Sequence, residues 1–125
     1  MKSQIRRLPD SELEVMQAVW SFDAPVLRKD IEEHLKDSHP MAQTTLLTLL
    51  TRLSERGFLR IEKAGRISHY YPLITEQEYL AEQSHRFFNK LCGGSISLFA
   101  NALCDSGLTK EELAKLRELL ERGEL

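Results

Sequence analysis

Cysteine is scarce in this 125-residue chain: Cys92 and Cys104 are the only two. Two are too few for a disulfide framework, and their spacing fits no CxxC metal or redox motif. Both are expected as small buried hydrophobes, because free cysteine is among the most buried residue types. There is no Gly-rich phosphate loop, no HExxH and no GxSxG, and His34, His39, His69 and His85 are scattered without ligand spacing. An enzyme would have to assemble its site from parts that show no pattern, so no catalytic residue, metal or cofactor is expected. No apolar run approaches the roughly 20 residues of a membrane span. The start, MKSQIRRLPD, has basic residues with no apolar segment behind them, which argues against a signal peptide and for the cytoplasm. Internal repeats and low-complexity segments are also missing.

A strong charge of one sign is lacking too: the formal net charge is -2. The distribution is more informative than the total. Residues 1–75 carry eleven Lys and Arg against ten Asp and Glu, whereas residues 76–125 carry six against nine. Within residues 42–72 the ratio is five to two, so positive charge gathers in that stretch. A local basic face, not the total, is what nucleic acid requires. A normally solvated mixed surface gives the same counts.

The stretch Met41 to Tyr71 organises the rest. Leu46, Leu49, Leu50 and Leu53 recur at i, i+3, i+4 and i+7, which predicts a helix over Gln43–Arg56. Its other face is polar but hardly charged: Gln43, Thr44, Thr45, Thr48, Thr51 and Arg52. Four threonines lower helix propensity, so they suggest a purpose other than helicity, such as contact with a DNA groove. Gly57 stands where a helix C-cap belongs. Phe58–Lys63 alternates like a half-buried strand, Ala64-Gly65-Arg66 reads as a turn, and Ile67–Tyr71 returns as a second strand. A helix followed by a hairpin with a basic tip is the order of a winged helix-turn-helix.

Ahead of it, Asp10 or Ser11 is expected to cap a helix, Ser11 and Glu14 having capping-box spacing. Leu13, Met16, Val19 and Trp20 would be its buried stripe. Phe22–Pro25 reads as a turn, and Arg28–Lys36 as a short helix with Ile31 and Leu35 inward. Arg28 and Lys29 near its start suit either a phosphate or plain solvent. Beyond it, Thr75 and Glu78 form a capping box for a long helix to about Leu91, closed by Gly93-Gly94. Ser95 would cap a helix with Ile96, Phe99, Ala100 and Leu103 inward. Thr109 and Glu112 box a last helix striped by Leu113, Leu116, Leu119 and Leu120.

The fold class expected is therefore mainly α with a small β hairpin. A winged-helix DNA-binding domain would span 1–75 and a three-helix dimerisation domain 76–125. Fifty residues make a marginal core with no staple, so a second copy of the chain is expected to cover the excess apolar surface.

The ordered set Leu13-Glu14-Val15-Met16, Val19-Trp20, Thr44-Thr45, Thr48, Arg52-Leu53, Gly57-Phe58-Leu59, Gly65-Arg66 and Tyr70-Tyr71-Pro72 resembles the penicillinase-repressor (BlaI/MecI/CopY) family of bacterial transcriptional repressors. Gly93-Gly94, Leu98–Ala102 and the Leu113/Leu116/Leu119 helix are similar to its antibiotic-responsive branch. The resemblance covers essentially the whole chain. It implies a homodimer on a dyad-symmetric operator, released when a membrane sensor protease cuts the tail. The family's scissile pair is Asn-Phe, and the matching pair here is Asn101-Ala102, in which the aromatic is lost. The copper-responsive branch carries a cysteine-rich C-terminal motif that the ending LRELLERGEL does not match.

On this reading two copies place their Gln43–Arg56 helices in successive major grooves. Gln43 offers a bidentate amide to adenine, and threonine methyls meet thymine methyls. Thr44, Thr45 and Thr48 are the other base- or phosphate-facing residues, unless their hydroxyls bond back to their own helix. Arg52 holds a phosphate or braces the domain. Lys63 and Arg66 reach the backbone or the minor groove. The rivals are a winged-helix regulator released by a small ligand or metal, a winged-helix protein-interaction module without DNA, and an enzyme.

Overall fold

The structure, a computed structural model, describes residues 5–123. In chain order come α1 (Asp10–Trp20), β1 (Val26–Leu27), α2 (Arg28–Leu35), α3 (Gln43–Glu55), β2 (Leu59–Ala64), β3 (Ile67–Pro72) and α4 (Glu76–Arg86). A π-helical turn (Phe87–Leu91), α5 (Ile96–Asp105) and α6 (Lys110–Arg122) follow. The chain divides between Glu82 and Gln83 into two compact units, so the early turns of α4 belong to the first.

In the first unit, α1, α2 and α3 close over a small antiparallel sheet of order β1-β3-β2. The stripe Leu46, Leu49, Leu50 and Leu53 is buried as its spacing requires. Gly57 ends the helix at φ 81°, a backbone angle glycine adopts without a Cβ penalty. Ala64 pairs with Ile67, which leaves Gly65 and Arg66 as a two-residue hairpin tip. Gly65 sits there at φ 68°. The hairpin gains a third strand that was not foreseen. Val26 and Leu27 pair with Tyr70 and His69 of β3, and two residues are too few to show a period.

Other details differ from the expectations. α1 begins at Asp10 with Pro9 at its N-cap and no side-chain cap; Asp10 and Glu12 instead place negative charge in its first turn. Glu14, the expected box partner, lies 3.0 Å from His39 Nδ1. The face of α1 that packs inward is Val15, Met16, Ala18 and Val19, while Leu13 and Trp20 sit at its margin. Trp20 still donates its indole N–H to Ile74 O at 2.9 Å. Tyr79 of α4 is buried against Trp20 and Phe58, with ring centroids 5.8 and 5.9 Å away.

The second unit is open. The long helix expected to Leu91 changes at Arg86 into the π-helical turn, and Gly93 and Gly94 end it at φ 60° and 77°. Ser95 caps α5 by accepting from Leu98 N, and Thr109 with Glu112 forms the expected box on α6. Phe99 packs on Phe87 and Phe88. Among the described residues of this unit, however, Cys92 alone is buried. Cys104, expected inside, is exposed. Ile96 and Ala100 were also expected inward but are exposed. They line, with Phe99, Leu103, Leu113 and Leu116, an open groove of about 660 Å³ between α5 and α6. Within this unit, among the described residues, α5 and α6 with the Phe87–Leu91 turn leave much of their apolar stripes exposed.

Candidate nucleic-acid interface

With four leucines fixing one face of α3 in the core, the opposite face is committed to solvent. Gln43, Thr44, Thr45, Leu47, Thr48, Thr51 and Arg52 are all exposed. Thr48 donates its hydroxyl to Thr44 O and Thr51 to Leu47 O, each at 2.9 Å. These protons are spent inside the helix, which leaves the methyls and oxygen lone pairs outward. Ala42 at the N-cap gives no side-chain bond, and no acidic residue stands in the first turn. The leading N–H groups of α3 are therefore not satisfied by a cap, in contrast with α6. An uncapped positive helix end suits an anion such as a phosphate.

Arg66 and α2 come together at the hairpin tip. A cleft of about 250 Å³ is lined by Arg28, Lys29, Leu47, Arg66, Ile67 and Ser68, among others. It joins the start of α2, the middle of α3 and the hairpin, three segments far apart in sequence. Lys63 is exposed on β2 opposite Ser68. Gln43, Thr44, Thr45, Thr48 and Arg52 are not part of this cleft; they continue along the exposed face of α3.

The cations here divide into paired and unpaired. Arg28 lies 3.6 Å from Glu32, and Arg60 is paired with Glu62 while its guanidinium stacks 4.4 Å from the Tyr71 ring centre. Lys29, Arg52, Lys63 and Arg66 have no carboxylate partner among the described residues. Positive charge is thus left over on the α3 and hairpin side. Leu47, 37% exposed, and Ser68 were missed from sequence. Leu47 falls one residue off the buried stripe, which is the signal that marks it as outward.

Asn101 and Ala102 lie inside α5, Asn101 exposed and Ala102 half-buried. Among the described residues no group of three His, Cys, Asp or Glu is placed to hold a metal ion, and no helix is long and apolar enough to cross a membrane.

Comparison with known proteins matches a family model described as "Penicillinase repressor" over residues 8–122. The chain is 32% identical to the penicillinase repressor of Bacillus licheniformis, over 94% of this chain and 92% of that one. It is 30% identical to the methicillin resistance regulatory protein MecI of Staphylococcus aureus (strain N315), over 98% and 99%. Among solved structures, it resembles the DNA-binding domain of the repressor BlaI with a TM-score of 0.53 at 32% identity, over 61% of this chain and 92% of that one. The Bacillus licheniformis BlaI monomeric form in complex with the blaP half-operator gives a TM-score of 0.51 at 32% identity, with the same coverage of 61% and 92%. Matched from Leu8 to Arg122, and nearly end to end by relatives of this identity, the chain belongs to the penicillinase repressor family.

Proposed function

We propose that this chain is a cytoplasmic transcriptional repressor, not an enzyme, and that it binds a dyad-symmetric DNA operator as a homodimer. The observation that carries this reading is the α3 face: a solvent-committed, uncapped polar helix flanked by the unpaired cations Lys29, Arg52, Lys63 and Arg66. The DNA-bound relative supports it.

In this reading α3 enters the major groove by its N-terminal end. Gln43 presents its amide to a base edge; Thr44 and Thr45 offer methyls and hydroxyls to thymine methyls or phosphates, and Thr48, whose proton is held by Thr44 O, offers its methyl. Arg52, Lys63 and Arg66 meet the phosphate backbone and set register without carrying sequence information. Arg28 and Lys29 join them, because their cleft is shared with Arg66. Residues 1–75 supply the DNA-binding surface and residues 76–125 the dimerisation surface. The groove between α5 and α6 is covered by the same groove of a second copy, which supplies the missing layer.

Release follows from loss of the tail. A cut between Asn101 and Ala102 severs α5, removes one wall of the groove and separates the two DNA-binding halves. The agent in this reading is a membrane sensor protease. A protease reads extended backbone, so α5 must first unwind there, and Ala102 offers a pocket shaped for an aromatic little to hold.

The test is selection from a random duplex pool by the purified full-length chain. Enrichment of one sequence in two inverted copies is expected, with affinity falling steeply as salt rises. A pool recovered without enrichment, or no retained duplex, would turn the assignment toward a protein-interaction module.

A further inference from the structure

A second basic cluster lies away from the exposed face of α3. Ile5 and Leu8 are 5% and 2% exposed, and Leu8 N donates to Tyr79 Oη at 2.8 Å. The residues between these anchors, Arg6 and Arg7, are turned to the surface. Together with Arg56 they line one cleft of about 460 Å³, where Leu8, Pro9 and Phe58 supply apolar wall. Arg56 is fixed by Glu12, whose carboxylate Oε1 is 2.6 Å from its Nη1. Arg6 and Arg7 have no carboxylate partner among the described residues.

Three guanidiniums against one carboxylate leave two positive charges in surplus at this cleft. Guanidinium forks match the planar oxygens of carboxylate and phosphate. The volume falls within the roughly 300–1,000 Å³ of small-molecule sites.

Its place in the fold separates it from the groove-reading surface. Arg56 follows the C-terminal end of α3 and Gln43 opens the helix; its thirteen residues put the two ends roughly 20 Å apart. Phe58 precedes β2, whose six residues likewise carry the hairpin tip roughly 20 Å away. A duplex read by the start of α3 and the hairpin tip is centred at the far end of both elements; Arg52, one turn before Arg56, is the residue of that surface nearest the cleft.

We propose that the Arg6–Arg7–Arg56 cleft binds a small organic anion, its carboxylate or phosphate held by the guanidiniums and its apolar body against Leu8, Pro9 and Phe58. The site goes beyond operator binding and does not require it.

The test is titration of the full-length, isotope-labelled chain with phenyl phosphate and, separately, inorganic phosphate, followed by NMR of the arginine side chains and the Phe58 ring. Saturable shifts at Arg6, Arg7, Arg56 and Phe58 are expected, with phenyl phosphate the tighter ligand. A double variant Arg6→Gln, Arg7→Gln should keep the wild-type melting temperature and lose about tenfold or more in affinity, the weight of one charge-assisted contact. Unsaturating shifts, equal shifts at Lys63 and Arg66, or undiminished affinity in the double variant would overturn the site. Gel shift with a duplex from the random pool keeps the two proposals apart. Unchanged DNA binding by the double variant supports a separate site, whereas a large loss would assign the cleft to the DNA interface and overturn the proposal.

Discussion

The backbone N–H of Leu8 and the phenol of Tyr79, 71 positions apart, share a buried hydrogen bond of 2.8 Å. Tyr79 thereby binds α4 into the first compact unit and pins the segment that leads into α1. Tyr79→Phe keeps the ring contacts with Trp20 and Phe58 but leaves the Leu8 N–H buried without an acceptor. The expected cost is about 1–3 kcal/mol. Urea unfolding of a fragment spanning 1–82 measures it. The same fragment should be more stable than one ending at Thr75, which lacks Tyr79 altogether.

The parts of the fold written in local periodicity were legible in the sequence. The leucine stripe of α3, the Gly57 stop, the hairpin and the boxes at Thr75 and Thr109 each sit within a few residues of their partners. What was hidden depends on distant pairing. β1 is a strand because β3 lies beside it, and Glu12 is buried because Arg56, 44 residues on, meets it. The site was half legible. The exposed residues of α3 follow from the stripe, but the meeting of Arg28 and Lys29 with Arg66 needs the folded sheet. In the tail both the stripes and their excess over what one copy can bury were readable, but not which residues stay exposed: Ile96, Ala100 and Cys104 were expected inside and are not.

The Glu12–Arg56 pair is asymmetric, and the asymmetry is measurable. Glu12 is 2% exposed, whereas the Arg56 side chain is 45% exposed. Arg56→Met leaves a carboxylate buried without its partner and should cost about 3 kcal/mol. Glu12→Gln leaves a guanidinium that water reaches and should cost about 1 kcal/mol. Thermal or urea unfolding of the two variants orders them; equal costs would mean that the carboxylate is reached by water.

The proposed roles of Gln43 as base reader and Arg66 as phosphate contact are separable by mutation. Arg66→Ala should weaken binding to all duplexes alike and flatten the salt dependence by roughly one counterion. Gln43→Ala should also change the preferred base, with about 1–3 kcal/mol of discrimination lost. Repeating the random-pool selection with each variant checks this. An unchanged base profile for the Gln43 variant would remove it as a reader.

Opening the tail groove to charge should dissolve the dimer. Leu103 lines the groove in the middle of α5. Leu103→Asp would place a carboxylate in the interface and convert the full chain to monomer in sedimentation velocity, with helix content retained. A dimer that persists in this variant would put the interface elsewhere.

The release step predicts an order of cleavage. A sensor protease of the Asn-Phe specificity should cut an Ala102→Phe variant faster than the natural chain, because an aromatic in its pocket could add a few kcal/mol of burial. Timed digestion resolved by mass spectrometry compares the two. Equal rates would mean that Ala102 does not limit recognition.

Bivalence is the central claim. Two DNA-binding units joined through one tail interface raise the effective concentration of the second, so affinity rests on the tail. The decisive measurement is gel shift with the selected duplex, comparing the full chain with a chain truncated after Asn101. The full chain should bind as two copies and the truncated chain far more weakly, one copy to each half-site. Tight, dimeric binding by the truncated chain would contradict the account.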